Sequence, residues 1–410
     1  MLTRCRSAAL LLALLIGAAG TGVGQDKKDD PKKKPDAKAE EVKKADPKDD
    51  DAKKKDEDAA ANKAAALEKY AKDAKGEEVS FTSADGVKLK GLFFKAQDGS
   101  RPVVLMLHDY KSNSAATAWA SAAKLCLAKG FNVLMFDFRG HGKSTEVIAG
   151  DFWVRKENRT LITGGSSSTI ATKTAIKVND FRPNYYPMLV QDIAAARNYL
   201  DQLNDTGVVN TSTVYLLGCG DAAGLGFLYM ASEWSRERIK PNVGVPAQFV
   251  SIRRNLFPSS EPAGPDIAGA IWLGATLNKS IPLPSLKEWC LQPATIELRS
   301  QTRMLFISGE KDATSVKFSK QLYSDVLLLD KKVGPGGQSL TKPEFTSFVR
   351  DIKGSDAAGV KLLGNKLDTE NLIGTFLRDI DKDRGAKTSK KRDWDKPLWI
   401  NVVDYGVAYQ

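Results

Sequence analysis

The chain has 410 residues, 42% of them hydrophobic, with four cysteines and a formal net charge of +11. That length and apolar content suffice for one large core or two smaller ones and exclude a wholly disordered chain. Few and widely spaced cysteines exclude a disulfide framework, and no Cys-x-x-Cys or His-x-x-x-His spacing offers a metal site, so no cofactor is expected.

The first residues read as a signal peptide over 1–25. Arg4 and Arg6 open it, Ala8 to Ala19 is apolar but too short to span a membrane, and Gly20, Gly22 and Gly24 precede the first charge at Asp26. A secreted, periplasmic or cell-envelope location follows as an expectation, with no transmembrane segment in the mature chain. Cys5 would leave with the peptide, so Cys126, Cys219 and Cys290 remain; one pair could form, and the sequence does not say which.

Residues 26–75 are rich in Lys, Asp, Glu, Ala and Pro. The stretch from Asp26 to about Lys63 has no aromatic residue and almost nothing to bury, so it reads as a disordered linker. Ala64 to Lys72 carries the composition of a short helix. The two charge signs nearly balance in the linker, which leaves the positive excess to the folded body. That excess reads as a solvated surface, or as attraction to an acidic surface or polymer. No basic stripe interleaved with aromatic residues occurs, so no nucleic acid is expected.

A folded domain is expected over 77–382. Val79, Phe81, Val87 and Leu89 alternate with polar neighbours around Ala84-Asp-Gly86, which predicts a β-hairpin. Pro102 to Leu107 and Phe131 to Phe136 are continuous apolar runs, as in strands buried on both faces. Between them, 115–129 has helical spacing and ends at Gly130. Further helices are predicted over 188–203, 222–232, 316–328 and 371–380, and further strands over 213–217, 267–273, 304–307 and 360–363. Strand–helix alternation with short connections gives an α/β class: a mostly parallel, doubly wound sheet with an N-terminal antiparallel hairpin. Two long insertions, about 145–187 and 233–265, exceed ordinary α/β loops and are expected over the end of the sheet that would hold a site. The tail 383–410 is basic and then aromatic (Trp394, Trp399, Tyr405). It should pack on the domain, with Leu398 to Val403 as a strand.

Three motifs in order resemble the α/β-hydrolase superfamily, near its serine-aminopeptidase-like and lysophospholipase-like branch. Leu105-Met-Leu-His108 resembles the strand that ends beside the oxyanion hole. Asp137-Phe-Arg139-Gly140-His141-Gly142-Lys-Ser144 resembles the Asp-x-Arg-Gly-x-Gly-x-Ser loop. Asp192 to Leu200 resembles the helix before the nucleophile strand. The resemblance implies an α/β-hydrolase fold with a nucleophile on a Gly-x-Ser-x-Gly elbow. Here the elbow reads Gly218-Cys219-Gly220-Asp221-Ala222, which puts Gly220 where the serine belongs.

The triad acid position matches Asp312, whose plainer reading is a helix N-cap. The base position, after the expected last strand, holds Lys366 and no histidine. The chain has only His108 and His141, both on the N-terminal side of the elbow and both read as braces of neighbouring loops. A serine hydrolase needs a base near neutral pKa, and Lys366 would need a large downward shift to serve. Asp109 replaces the glycine after His108, and a carboxylate there opposes a developing oxyanion. Gly220, Asp221, Asp312 and Lys366 are thus vestigial positions of a site with no intact triad. The expectation is a secreted pseudo-hydrolase acting by binding a small ligand or a protein partner. The alternative is a hydrolase of esters, amides or halides with Asp221 or Cys219 as a non-standard nucleophile.

Overall fold

The structure, a computed structural model, describes residues 47–110, 112–165, 170–235, 263–292, 295, 297–327, 347–364, 367–392 and 396–407. The signal-peptide segment, the linker up to residue 46, most of the second insertion, Lys366, Trp394 and the last three residues lie outside the described residues. The chain divides into two compact units, 1–54 and 55–410.

Helix α1 runs Pro47–Asp73 and so begins well before the expected Ala64. Lys, Asp, Glu and Ala give no core, but Ala, Glu and Lys are good helix formers and adjacent turns can pair opposite charges. Its later turns are tied to the domain: Lys63 pairs with Asp98 at 3.4 Å, the Tyr70 hydroxyl donates to the Lys95 carbonyl, and Ala71 is buried.

One nine-stranded sheet follows. Its strands are β1 (Glu77–Thr82), β2 (Val87–Phe94), β3 (Arg101–Leu107), β4 (Asn132–Phe136), β5 (Glu146–Val147), β6 (Val209–Cys219), β7 (Ile267–Leu273), β8 (Arg303–Gly309) and β9 (Phe348–Ile352). The order is β1-β2-β4-β3-β6-β7-β8-β9, with the short β5 on β2. The β1–β2 hairpin and the β2–β4 pair are antiparallel, and every pair from β4–β3 through β8–β9 is parallel. The α/β class read from the sequence is the one observed.

Because successive strand residues face opposite ways, β3 feeds two cores. Val103, Leu105 and Leu107 pack on one face with α3 (Val190–Asp205) and α4 (Ala222–Ser235). Val104 and Met106 pack on the other with α2 (Thr117–Ala128) and with α7 (Thr369–Arg384). Every residue of β6 is buried, which places the loop after it at the centre of one sheet edge. The remaining larger helices are α5 (Leu283–Leu291) and α6 (Ala313–Leu322), the latter continued by one wider turn to Leu327.

Two expected strands are corrected. Val360 to Leu363 is not the last strand: Gly359–Leu362 is a 3-10 turn, and the last strand is β9, parallel to β8. Leu398 to Val403 pairs with no strand. Val402–Tyr405 forms a single 3-10 turn, and the tail is held by side chains instead. The buried Gln191 amide brackets residue 400: its Oε1 accepts the Ile400 N–H and its Nε2 donates to the Ile400 carbonyl. Arg392 is buried against Asp201 and Asp266, so the tail does pack on the domain. Cys126, Cys219 and Cys290 are all buried free thiols.

Candidate functional site

Three loops meet at the C-terminal edge of the parallel strands: the one after β3, the one after β4 and the β6–α4 elbow. The loop after β4 is braced by Arg139, which is fully buried. Its guanidinium takes both carboxylate oxygens of Asp85 at 2.7 and 2.9 Å, its Nε donates to Asp192 at 2.8 Å, and its backbone N–H donates to the same carboxylate at 2.8 Å. Tyr185 and Asn158 close the network. Burial pushes the Asp192 carboxyl up to about 6 despite the arginine beside it, whereas Asp85, in a bidentate pair, lies below the ordinary range.

Asp137 accepts the N–H and hydroxyl of Ser114 and the N–H of Lys143, so it ties the loops after β3 and β4 together. Gly140 and Gly142 both have positive φ, and a Cβ at Gly142 would stand 2.1 Å from the Asp137 carboxylate. These residues are a scaffold, and none of these contacts presents a reactive group.

Both histidines belong to the same scaffold. His108 Nε2 accepts the Phe138 N–H at 2.9 Å, which makes Nδ1 the protonated nitrogen donating to the Asp109 carbonyl at 2.8 Å. Burial pushes this imidazole down to about 4. The His141 ring lies 5.2 Å from that of His108 and 5.5 Å from Tyr110, with Nδ1 on the Arg139 carbonyl at 2.8 Å. Burial lowers its pKa too.

The backbone of the elbow marks its apex. Gly220 has φ +56°, the left-handed backbone that a nucleophile elbow imposes on its apex residue. The apex is therefore Gly220 rather than Asp221. Its N–H donates to the Leu273 carbonyl and its carbonyl accepts the Thr276 N–H, so the loop after β7 fixes the turn. Gly218 is required by packing, since a Cβ there would fall 2.7 Å from the Trp272 ring.

A Cβ added at Gly220 would stand 2.2 Å from Asp109 Oδ1 and 2.4 Å from its Cγ. The Asp109 carboxylate thus fills the volume in which an elbow nucleophile would project. The same Oδ1 accepts two backbone N–H groups, from Tyr110 at 3.0 Å and from Asp221 at 3.1 Å. These are the N–H of the residue after the apex and one from the loop after β3, the pair that forms an oxyanion hole in this architecture.

Asp221 faces the same space. Its Oδ1 also accepts the Tyr110 N–H at 3.0 Å, its Oδ2 accepts from Asn278 at 3.3 Å, and its carbonyl takes the Tyr186 hydroxyl at 2.5 Å. Burial, followed by the hydrogen bond and charge of Asp221, pushes the Asp109 carboxyl up to about 7. At neutral pH the Asp109 carboxyl is therefore partly protonated beside Asp221. The Cys219 thiol is buried beneath them, and burial with the charge of Asp109 drives it far above the thiolate range. It is a small core residue, not a nucleophile.

Asp312 caps α6: its carboxylate accepts the Ser315 N–H at 3.3 Å and the Ser315 hydroxyl at 2.7 Å. With β9 as the last strand, the segment after it is 353–359 and not the one around Lys366. That segment crosses the elbow as plain backbone. A Cβ at Gly274 would stand 2.3 Å from the Gly359 nitrogen, and one at Gly359 would lie 4.0 Å from the Cys219 Cβ. It reads Lys353-Gly-Ser-Asp-Ala-Ala-Gly359 and contains no histidine. Lys366 lies outside the described residues, so its place relative to the elbow is not part of this geometry.

Above the two carboxyls lies an open cleft of about 600 Å³, with Tyr110, Phe181, Asn278 and Lys279 among its walls. Val178, Asn179, Phe181 and Pro183 come from the first insertion, which therefore reaches the site. Sequence reasoning missed Tyr110, Asn278 and the first insertion's lining residues; none carries a motif, and only their loop positions could have pointed to them. Among the described residues no group of three or more His, Cys, Asp or Glu side chains could hold a metal ion.

The class that this sheet and elbow define is the α/β-hydrolase fold. Comparison with solved structures returns the following similarities. An esterase of Pyrococcus furiosus is 15% identical over 76% of this chain and 91% of its own (TM-score 0.41). A dienelactone hydrolase of Anabaena variabilis is 14% identical over 76% and 98% (TM-score 0.41). A fungal esterase of Rhizomucor miehei is 12% identical over 76% and 86% (TM-score 0.43). No family model matches the sequence, and neither does any curated protein.

Proposed function

We propose that this chain is a non-catalytic α/β-hydrolase-fold protein that works by holding a ligand or partner at the cleft above the elbow. The observation that carries the reading is Gly220 at the apex: the backbone geometry of a nucleophile position is kept and the nucleophile is not. Neither histidine serves as a base, since both are engaged in the scaffold with lowered pKa. The amino-terminal segment, read as a signal peptide, would place this function outside the cytoplasm.

A second reading, a hydrolase using Asp221, has one observation in its favour: that carboxylate lines the cleft. A carboxylate can attack carbon without a base, but the ester it forms then needs an activated water. The test of both is turnover of short and long acyl esters, aminoacyl amides and haloalkanes by the full chain, beside its Asp221→Asn variant. Equal, background-level rates are expected. Turnover that Asp221→Asn abolishes would overturn the non-catalytic reading and establish the second one.

A further inference from the structure

The two donors that this architecture aims at a substrate oxygen are intact here, yet they already hold an oxygen. Tyr110 N–H and Asp221 N–H converge on Asp109 Oδ1 at 3.0 and 3.1 Å. That side chain belongs to the residue next to one donor, so no foreign group is needed to fill the hole. Its position is also exclusive, since the Gly220 apex leaves the volume the carboxylate takes. We propose that Asp109 is an intramolecular plug of the oxyanion hole, and that the site beneath it takes the carboxylate or carboxylic acid group of a small ligand once the plug is out.

The chemistry of the competitor follows from the chemistry of the plug. A ligand able to replace it must offer one acceptor oxygen to two converging N–H groups and tolerate Asp221 alongside. A small carboxylic acid does both, because in its protonated form it can lie beside the Asp221 carboxylate without bringing two full negative charges together. Burial, Asp221 and the Tyr110 and Asp221 N–H groups set the titration of Asp109, whose charge in turn raises the Tyr186 phenol and the Cys219 thiol; Lys279 stands on the cleft wall. The nearest acid is Asp221, so a second full negative charge in the hole is unfavourable and the proton is part of the fit. Binding should therefore strengthen as pH falls from about 8 to about 6. The proposal rests on the intactness of the two donors and not on the absence of turnover, so it stands or falls apart from the function proposed above.

The experiment restores the missing group from solution. Full-chain wild type, Asp109→Gly and Asp109→Asn would be titrated with sodium acetate at pH 6 and pH 8, with sodium chloride matching ionic strength, and melting temperature would be read. Acetate is expected to stabilise Asp109→Gly saturably, with a half-saturating concentration at least tenfold below any seen for wild type, and more tightly at pH 6. Asp109→Asn keeps an amide oxygen for the hole and should behave as wild type. It also guards against misreading a glycine variant that folds poorly: should Asp109→Gly not fold, Asp109→Ala takes its place with the same expectation. Acetate acting no differently from chloride on the folded glycine or alanine variant would overturn the proposal. So would an equal saturable response in wild type, since a plugged hole cannot take acetate.

Discussion

At position 109 a carboxyl with a pKa near 7 replaces one that titrates near 4 in an unfolded chain. The folded protein therefore holds a proton there that the unfolded chain releases between those values. This contributes stability that is fully present below about pH 4 and is lost as pH rises through about 7, at up to about 1.4 kcal/mol per pH unit within the window. Asp109→Asn removes the titration and keeps the shape. Its stability relative to wild type should rise between pH 5 and pH 8, as read by urea unfolding at both. A difference that does not change with pH would show that Asp109 is ionised throughout. The sequence marked Asp109 as hostile to an oxyanion and Gly220 as an apex without a nucleophile. That the first fills the space left by the second was not legible, because the two are 111 positions apart in sequence and meet only when β3 pairs with β6. The capping role of Asp312, by contrast, was read from its place ahead of the helix expected from Val316; the helix begins at Ala313, so the carboxylate directly accepts a free N–H of the first turn.

Among elements, the loop after β4 shows how a motif can be held in place by packing and charge alone. Arg139 links Asp85 of the hairpin turn to Asp192 of α3, and all three side chains have no exposed surface. Removing the arginine would leave two acids buried without a cation, and breaking such a buried pair costs about 3–5 kcal/mol. Arg139→Met should destabilise the protein by that order in denaturant unfolding. A loss below about 1 kcal/mol would mean that water or the neighbouring Tyr185 and Asn158 compensate. The strands were read most reliably where both faces are buried, as in β3, β4 and β7, since a continuous apolar run admits few alternatives. Strand β9 escaped because it is an edge strand whose Phe-Val-Arg-Asp-Ile sequence is only half covered, and its charged pair breaks the apolar run. The segments at 360–363 and 398–403 carry strand-like composition but pair with no strand. Leu362, Leu363, Ile400 and Val402 are buried by packing, and Gln191 supplies the hydrogen bonds that a neighbouring strand would have given to residue 400.

For the molecule as a whole, the order of elements was enough to set the architecture, because a hairpin followed by repeated strand–helix units has few ways to wind. It was also enough to say which end of the sheet should hold a site. The composition of 26–75 was read as a linker with a short helix over Ala64 to Lys72, whereas α1 occupies its second half from Pro47. Composition predicts whether a segment can bury a core, and a charged helix needs none. What surrounds the elbow could not be read in the same way. The cleft is walled by loops after β3, β7 and within the first insertion, and their meeting depends on the closure of the sheet rather than on any local pattern. No helix among the described residues is long and apolar enough to cross a membrane.

The collision between Asp109 and a side chain at Gly220 also bears on which neighbouring sequences are reachable from this one. A serine introduced at 220 meets an anchored carboxylate and a left-handed backbone at once, so Gly220→Ser alone should lower stability by about 1–3 kcal/mol. The same change made after Asp109→Gly meets only the backbone penalty. A double-mutant cycle on unfolding free energy should show coupling of at least about 1 kcal/mol between the two positions; strict additivity would mean that the carboxylate swings aside freely. With coupling, the path back toward a nucleophile has an obligatory first step, and it is not the step that supplies the hydroxyl. Selection for catalysis alone would see no gain from that first step, which makes the present state of the elbow a local trap in sequence space.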